Sequence, residues 1–432
     1  MKKSIPRERR AVIAPGVGMR TVLMSEAGLL HLALIAGCGS MDDPKGLEGL
    51  THLASRMLFE GTKRRPTQEL AERMEGLGMH ADAEVHWENT VFRFAFPPAL
   101  LDPAMDLLEE MFIEPGLRAD DFERLRTQQM SNLSKEFKDA GILASRLANA
   151  LLLKGTRQAH PSKGLPKTLE RIQGADVEPQ WNVLRAHGLT LVLCGNVGNR
   201  EEERARRLAA AFSGGALFRR RALRGQARSP ALYFCGRPQS VQSEIRVASF
   251  GPGPAEEVHV PAHLLNTIFG GKFSSRLNMN LRERHGFTYG AKSFFLERRK
   301  FSAFTISVAV ANDVTRPALE EVMHELDTAR DGLPGEAEVS AAAGYLEGSF
   351  YTSLDEPSRY LGRVIAREAS GLPAGRFRSY LRVLKAAKAA DLAAVPRDFL
   401  DRNKAVFVVV GDPHVMESLK PLGLPIEEVS YP

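Results

Sequence analysis

The sequence predicts an α+β fold made of two αβ domains of similar design, in which helices pack on one face of a mixed or antiparallel sheet. Three observations favour this fold. The chain has 432 residues, and at about 100–200 residues per domain it can form two or more of them. Amphipathic helical segments and short alternating strands are interspersed, without the strict cadence and phosphate-binding glycines of a nucleotide fold. Finally, several elements of the first half recur in the second half.

The recurrence is clearest where each half closes. A short apolar strand enters a glycine turn at Leu191–Asn196 and again at Val408–Asp412. The two turn glycines, Gly195 and Gly411, are 216 residues apart (411 minus 195), which is half of the 432-residue chain. Such a fixed offset is typical of an internal repeat.

A second pair of elements lies in the first third of each half. A helix-like segment with a basic tail is followed by an alternating strand, at Gly49–Gly61 and Val91–Phe96, and again at Leu264–Arg284 and Phe304–Val310. Period-2 alternation indicates half-buried strands. Amphipathic periodicity predicts four further helices, at Pro103–Met111, Asp120–Phe137, Ala318–Ala329 and Glu336–Ser353.

The domain boundary is expected near the midpoint. Residues 215–230 mix Gly, Arg and Pro without a sustained apolar period, which is typical of an exposed connector. We therefore predict a first domain at residues 1–217, a linker at 218–230 and a second domain at 231–432.

Composition excludes several classes of protein. Apolar residues make up 44% and charged residues 25%, so disordered, collagen-like and coiled-coil chains are excluded. The net charge of +6 is small for this length and shows no long basic block, so no nucleic-acid partner is expected. Cys38, Cys194 and Cys235 are far apart, which fits a reduced compartment or core packing and not a disulfide framework or a cysteine zinc site.

No stretch approaches the ~20 apolar residues that a membrane span needs. Leu34–Cys38 looks like a lipoprotein cleavage box, but we favour a buried strand at Leu29–Gly37, because Glu26 and His31 interrupt the apolar lead. We expect the protein in the cytoplasm, with the periplasm as the alternative.

The first candidate motif lies in Gly46–Lys63, where one helix carries His52, Ser55 and Arg56. The segment resembles the inverzincin metallopeptidases, the insulinase/pitrilysin family that includes the mitochondrial processing peptidases. Their active members have His-x-x-Glu-His here, followed by Met-Leu-Phe-x-Gly-Thr, which this chain matches at Met57–Thr62. Two imidazoles one helical turn apart hold Zn²⁺, and the Glu takes a proton from the metal-bound water.

Compared with the His-x-x-Glu-His of active family members, this motif is degenerate. The resemblance places His52 at the first ligand, Ser55 at the base and Arg56 at the second ligand. It also implies a third ligand, a Glu, roughly eighty residues later on a neighbouring helix, where Asn132 is nearest and Thr127–Leu133 contains no carboxylate. Because one neutral imidazole beside a permanent cation cannot hold Zn²⁺ competitively, we interpret His52 as an ordinary helix histidine and predict no metal in this chain.

The second candidate motif runs through Phe269–Leu277 and Leu281–Gly290 and resembles the C-terminal domain of the same family. The resemblance implies that Arg282 and Tyr289, seven positions apart, project across a cavity toward the catalytic zinc. The Tyr hydroxyl would then stabilise an oxyanion and the Arg would bind a substrate carbonyl. From the residues alone, the alternatives are a solvated helix charge and a strand-edge aromatic.

His160–Gly164 is a further family-like segment, so the resemblance spans roughly residues 10–425. It implies two homologous domains in a clam-shell arrangement. Some enzymes of the family are split into a zinc-bearing chain and a chain that supplies only the Arg and Tyr. The resemblance implies that this chain is of the second kind, similar to the non-catalytic subunit of mitochondrial processing peptidase.

We therefore predict that this chain carries no cofactor and pairs as a heterodimer with a homologous zinc-bearing peptidase subunit. Unfolded peptide substrates would bind as an added strand at a sheet edge. The alternative is a catalytically inert scaffold of the same fold for peptide binding or assembly. A self-sufficient hydrolase has less support, because Ser55 has no obvious base and Gly-x-Ser-x-Gly is absent.

Overall fold

A computed structural model of the chain describes residues 4–212, 231–395 and 397–430. The linker predicted at 218–230 lies outside the described residues. The strands are β1 (Arg7–Ala14), β2 (Val17–Leu23), β3 (Leu30–Ala36), β4 (His80–Val85), β5 (Thr90–Phe96), β6 (Leu189–Gly195), β7 (Ala231–Gly236), β8 (Gln242–Gly251), β9 (Ala291–Glu297), β10 (Ser302–Ala311), β11 (Val406–Gly411) and β12 (Ile426–Glu428).

The α-helices are distributed along both halves. They are α1 (Leu50–Met57), α2 (Thr67–Gly76), α3 (Leu101–Ile113), α4 (Ala119–Lys138), α5 (Ala140–Leu152), α6 (Pro166–Leu169), α7 (Gly174–Ala186), α8 (Asn199–Ala210), α9 (His259–Phe269), α10 (Arg276–Asn278), α11 (Thr315–Asp331), α12 (Glu336–Thr352), α13 (Pro357–Ala369), α14 (Arg376–Ala386), α15 (Ala389–Ala393) and α16 (Val415–Leu419). A π-helical turn at Met279–Arg284 continues directly from α10.

Two six-stranded mixed sheets confirm the predicted α+β class. Their strand orders are β1-β2-β6-β3-β5-β4 and β12-β7-β11-β8-β10-β9. In the first sheet β2 and β6 pair in parallel, and β7 and β11 do the same in the second. The last five strands of the first order, β2-β6-β3-β5-β4, correspond one to one with the last five of the second, β7-β11-β8-β10-β9. This correspondence is the structural form of the repeat seen in the sequence.

The chain forms two compact units, each of which includes a segment from the opposite half of the sequence. The first unit consists of residues 4–133, 160–212 and 350–373, and the second of residues 134–159, 231–349 and 374–430. Helix α5 thus belongs to the second unit and α13 to the first. The sequence-based boundaries lack this exchange, because hydrophobic periodicity shows that a helix has a buried face but does not show which sheet buries it.

In the second unit, helices lie on both faces of the sheet. Leu147 of α5 packs with Tyr233 and Val408 on one face. The alternate residues Leu232 and Val409 point to the opposite face, with α9 and α11. The sequence predicts helices on one face of the sheet, and α5 is a further helix that packs on the other face. Double-sided burial also explains why β11 is apolar without alternation.

The helix-like segment with a basic tail predicted at Leu264–Arg284 is not one continuous element. Helix α9 ends at Phe269, and α10 begins only at Arg276. A Cβ on Gly270 would lie 2.3 Å from the hydroxyl oxygen of Ser293, and a Cβ on Gly271 would lie 2.9 Å from the Cα of Thr267. The chain therefore turns here through a space that admits only glycine.

The strand predicted at Leu29–Gly37 is confirmed as β3, and Cys38 directly after it is buried. Of the helices described, none combines the length and the apolarity that crossing a bilayer would require.

Candidate functional site

Helix α1 presents His52 toward α4 within the first unit. The Gln129 side chain of α4 donates from Nε2 to the Lys163 carbonyl at 3.1 Å and also forms a hydrogen bond with the His52 imidazole. Burial lowers the pKa of His52 to about 4, and the cations of Lys163 and Arg56 act in the same direction, against the hydrogen bond that the imidazole donates to Gln129. His52 is therefore neutral near pH 7.

The other two motif positions on α1 hold a hydroxyl and a cation. Ser55 is fully buried, and its Oγ donates to the His52 carbonyl at 2.8 Å. The Arg56 guanidinium lies 5.5 Å from the centre of the Phe59 ring, and its Nη1 is 3.8 Å from Oδ1 of Asp82 on β4. Neither group can serve as a neutral metal ligand or a general base.

The α4 residue beside His52 is Gln129, and not Asn132, which counting from the family motif had placed nearest. Asn132 is exposed, whereas Gln129 is only 6% exposed. Gln129 shares the buried face of α4 with Phe122, Leu125 and Leu133. This 3.6-residue period was the signal in the sequence that could have identified it.

The zinc ion that resemblance to the family implies does not fit these residues. Catalytic zinc sites use three protein ligands from imidazole, thiolate or carboxylate groups. Here one imidazole faces an amide that already bonds to the Lys163 carbonyl, while Arg56 brings a fixed positive charge. Among the described residues, the one cluster of His, Cys, Asp or Glu donors close enough for a metal is His259, His263 and Glu297, in the second unit.

Zinc ligands introduced at positions 56 and 129, beside His52, should create a zinc site. We expect Arg56→His combined with Gln129→Glu to tighten zinc binding at α1 by more than about 100-fold, because two imidazoles and a carboxylate then face one point. Arg56→His with Asn132→Glu is the matched control and should show no such gain. The measurement is zinc titration in a His263→Ala background, which removes the cluster of the second unit. Equal affinities in the two double variants would contradict the assignment of Gln129.

The second motif is held in place by side-chain hydrogen bonds within the second unit. Asn278 donates to the Phe273 carbonyl at 2.7 Å and accepts from the backbone N–H of Ala291 at 2.9 Å. The Arg276 guanidinium binds both carboxylate oxygens of Glu338, at 2.8 and 2.7 Å. Such two-point contacts fix orientation as well as distance.

Arg282 lies in the π-helical turn, a local geometry that occurs often at functional sites. Its guanidinium stands 4.4 Å from the centre of the Phe273 ring, and its Nε is 3.6 Å from a carboxylate oxygen of Glu283. The side chain is 34% exposed. The guanidinium is therefore oriented by an aromatic face and remains accessible to a ligand.

Tyr289 lies in the loop between this turn and β9, two residues before the strand begins, and not on a strand edge. Phe287 packs against the core of the second unit, and the Thr288 hydroxyl donates to the Ala309 carbonyl at 2.7 Å. Tyr289 itself is 93% exposed. A fixed loop thus presents this ring to solvent, where it contributes little to packing.

The two motifs therefore form two groups. His52, Ser55 and Arg56 share α1 with Gln129 beside them, while Arg282 and Tyr289 share one turn-and-loop segment of the second unit. Asn132 joins neither group.

Comparison with known families gives two matches along the chain. Residues 29–163 match the sequence model described as insulinase (peptidase family M16). Residues 183–345 match the model described as the peptidase M16 inactive domain. The matches fall on the first and second motifs respectively.

Individual relatives cover nearly the whole chain. An uncharacterized zinc protease of Mycobacterium tuberculosis is 25% identical over 426 residues, covering 93% of this chain and 92% of its own length. An uncharacterized zinc protease of Streptomyces coelicolor is 23% identical, covering 93% and 89%.

Solved structures show the same fold. The crystal structure of a peptidase M16 inactive domain from Pseudomonas fluorescens is similar with a TM-score of 0.87 at 23% identity, covering 94% of this chain and 98% of the other. A protease from Helicobacter pylori is similar with a TM-score of 0.83 at 16% identity, covering 94% and 99%.

Proposed function

The chain belongs to the insulinase (M16) family of peptidases, and we propose that within this family it is the subunit without catalytic zinc. In this proposal it forms a heterodimer with a homologous zinc-bearing subunit and supplies Arg282 and Tyr289 to the partner's active site. Zinc is expected in the partner, and the cytoplasm is the expected compartment.

One observation carries the proposal: the donor set on α1. His52 is neutral and hydrogen-bonded to Gln129, Ser55 bonds to the helix backbone, and Arg56 places a permanent cation at the second ligand position. The relatives named above are zinc proteases by name. Since the residues of α1 cannot hold a metal or take a proton from water, hydrolysis needs groups from another chain.

The second motif supplies what such a partner would use. A phenol hydroxyl at the position of Tyr289 can donate to the oxygen that becomes negative when a scissile carbonyl is attacked. The planar fork of Arg282 can donate to a backbone carbonyl of the same peptide. The side chains of Tyr289 and Arg282 are both accessible to solvent, so the hydroxyl and the guanidinium are not buried in the core.

Peptide binding is proposed at a sheet edge. Strand β4 ends the first sheet and lies beside α1, as the contact between Arg56 and Asp82 shows. An edge strand offers backbone N–H and C=O groups to an extended peptide. Recognition through backbone groups suits unfolded peptides of varied sequence.

The test compares the purified full-length chain with the reconstituted pair. We expect the chain alone to leave an unfolded fluorogenic peptide intact, and the zinc-bearing homologue to cleave it faster when this chain is added. The matched control adds this chain to a homologue whose His-x-x-Glu-His glutamate is changed to glutamine, which should give no cleavage. Cleavage by this chain alone, lost in His52→Ala, would refute the proposal.

A further inference from the structure

The second unit contains a His–His–Glu cluster that the proposed function does not use. His259 and His263 are the first and fifth residues of α9, so their rings share one helix face. Glu297 is the last residue of β9. Its Oε1 lies 3.2 Å from Nε2 of His259 and 3.2 Å from Nε2 of His263.

These separations match those around a metal ion. Zinc bonds of about 2.0–2.2 Å in a tetrahedron place neighbouring ligand atoms about 3.3 Å apart. The three donor atoms all lie within 4.8 Å of one another. The carboxylate oxygen therefore lies at ligand spacing from both imidazole nitrogens, and the three donors are close enough to converge on one ion.

The two imidazole nitrogens are buried, and within the described residues neither makes a hydrogen bond of acceptable geometry, although both are close to the carboxylate. His259 is only 7% exposed. A buried polar atom without a hydrogen bond costs free energy, and a bound cation would satisfy both nitrogens at once. Each nitrogen therefore has only a poorly aligned contact with the Glu297 carboxylate, which a bound cation would replace with a direct bond.

The surroundings orient the rings and leave an entry. The His263 ring lies 4.9 Å from the Phe295 ring and 4.5 Å from the His259 ring. The side chains of His263 and Glu297 are 28% and 34% exposed. A water molecule can therefore reach a fourth position on a bound ion.

The cluster offers one carboxylate and two imidazoles, which are ligand types that zinc takes in catalytic sites. The carboxylate lies against both rings and supplies negative charge, while Arg376 supplies a positive charge beside His259.

One neighbour opposes metal binding. Nη2 of Arg376, the first residue of α14, lies 2.9 Å from Nδ1 of His259. A guanidinium only donates, so Nδ1 accepts and the proton of the neutral ring sits on Nε2. For Nε2 to bind a metal, that proton must move to Nδ1 and Arg376 must turn away. Arg376 is partly exposed, which allows this.

We propose that His259, His263 and Glu297 form a site for a divalent transition-metal ion, with Zn²⁺ as the first choice and the fourth position open to solvent. The site is separate from α1 and independent of the proposed function. It departs from the sequence-based expectation that this chain holds no metal.

The experiment uses full-length protein stripped by a chelator and titrated with Zn²⁺, with the tetrahedral absorption of Co²⁺ as a second probe. We expect one ion per chain, and an affinity reduced more than about 100-fold in His263→Ala and in the isosteric Glu297→Gln. His324→Ala, an exposed histidine of the same unit, is the matched control and should bind as the wild type does. The Arg376→Gln variant should bind Zn²⁺ about tenfold more tightly than the wild type, because the glutamine amide oxygen can accept a hydrogen bond from Nδ1–H of His259.

Three outcomes overturn the site. The first is no stoichiometric Zn²⁺ in the wild type, and the second is equal affinity in wild type, His263→Ala and Glu297→Gln. The third is zinc lost in His52→Ala but kept in His263→Ala, which would place the metal at α1 and refute the proposed function as well. Zinc kept in His52→Ala but lost in His263→Ala supports the site and leaves the proposed function standing.

Discussion

Tyr289→Phe is expected to lower kcat of the reconstituted pair by about 100–1,000-fold, the effect of removing one oxyanion donor. The physical reason is that the substitution removes only the hydroxyl. Tyr289 is 93% exposed, so the loss does not disturb packing, and the loop keeps its anchor between Thr288 and the Ala309 carbonyl. Steady-state kinetics of peptide cleavage, with the amount of heterodimer measured in the same samples, gives the result.

The matched control is Tyr345→Phe, another exposed tyrosine of the second unit, which should leave kcat unchanged. Arg282→Ala is expected to raise KM and lower kcat together, because the guanidinium binds a substrate carbonyl in the ground state and binds it more strongly in the transition state. If Tyr289→Phe and Arg282→Ala both assemble and turn over normally, the chain is a scaffold and the contribution of these residues to the partner is disproved.

The strands were predictable because their signal is local. Alternation or continuous apolarity over six or seven residues locates β3, β5, β6 and β11 within two residues of their observed ends. The break after Phe269 was missed, since the contact of Gly270 with Ser293 joins residues that only the folded chain brings together. The exchange of α5 and α13 was missed for the same reason.

The site shows the same division. His52, Ser55 and Arg56 lie within five consecutive residues, so a motif suffices to find them. Gln129 depends on which face of α4 meets α1, and a count of residues from the motif pointed to Asn132 instead. His259 and His263 are visible as a helical i, i+4 pair, but Glu297 joins them only through the position of β9 against α9.

Arg367→Ala is expected to destabilise the first unit by about 3–5 kcal/mol, because it breaks a buried ion-pair network and leaves the Glu8 carboxylate without the cation that binds both its oxygens. Arg367 of α13 is 2% exposed. Its two terminal nitrogens bind the two carboxylate oxygens of Glu8 on β1, each at 2.7 Å, and one also binds Glu368 at 2.9 Å. Glu368 in turn pairs with Arg10 and Arg20, both at 3.0 Å.

This network joins a helix from the second half of the sequence to the first sheet, which gives the measurement its specificity. The two tryptophans of the chain, Trp87 and Trp181, both lie in the first unit, so tryptophan fluorescence during urea unfolding reports on that unit. The matched control is Arg359→Ala on the same helix, whose side chain is 68% exposed and pairs with Glu356, and it should change the unfolding midpoint little. Equal midpoints for Arg367→Ala and Arg359→Ala would mean that α13 does not stabilise the first unit. A selective loss for Arg367→Ala means that the fold of the first unit depends on residues 350–373, so that the first half of the sequence, cut at the predicted linker, lacks a segment that its own sheet needs.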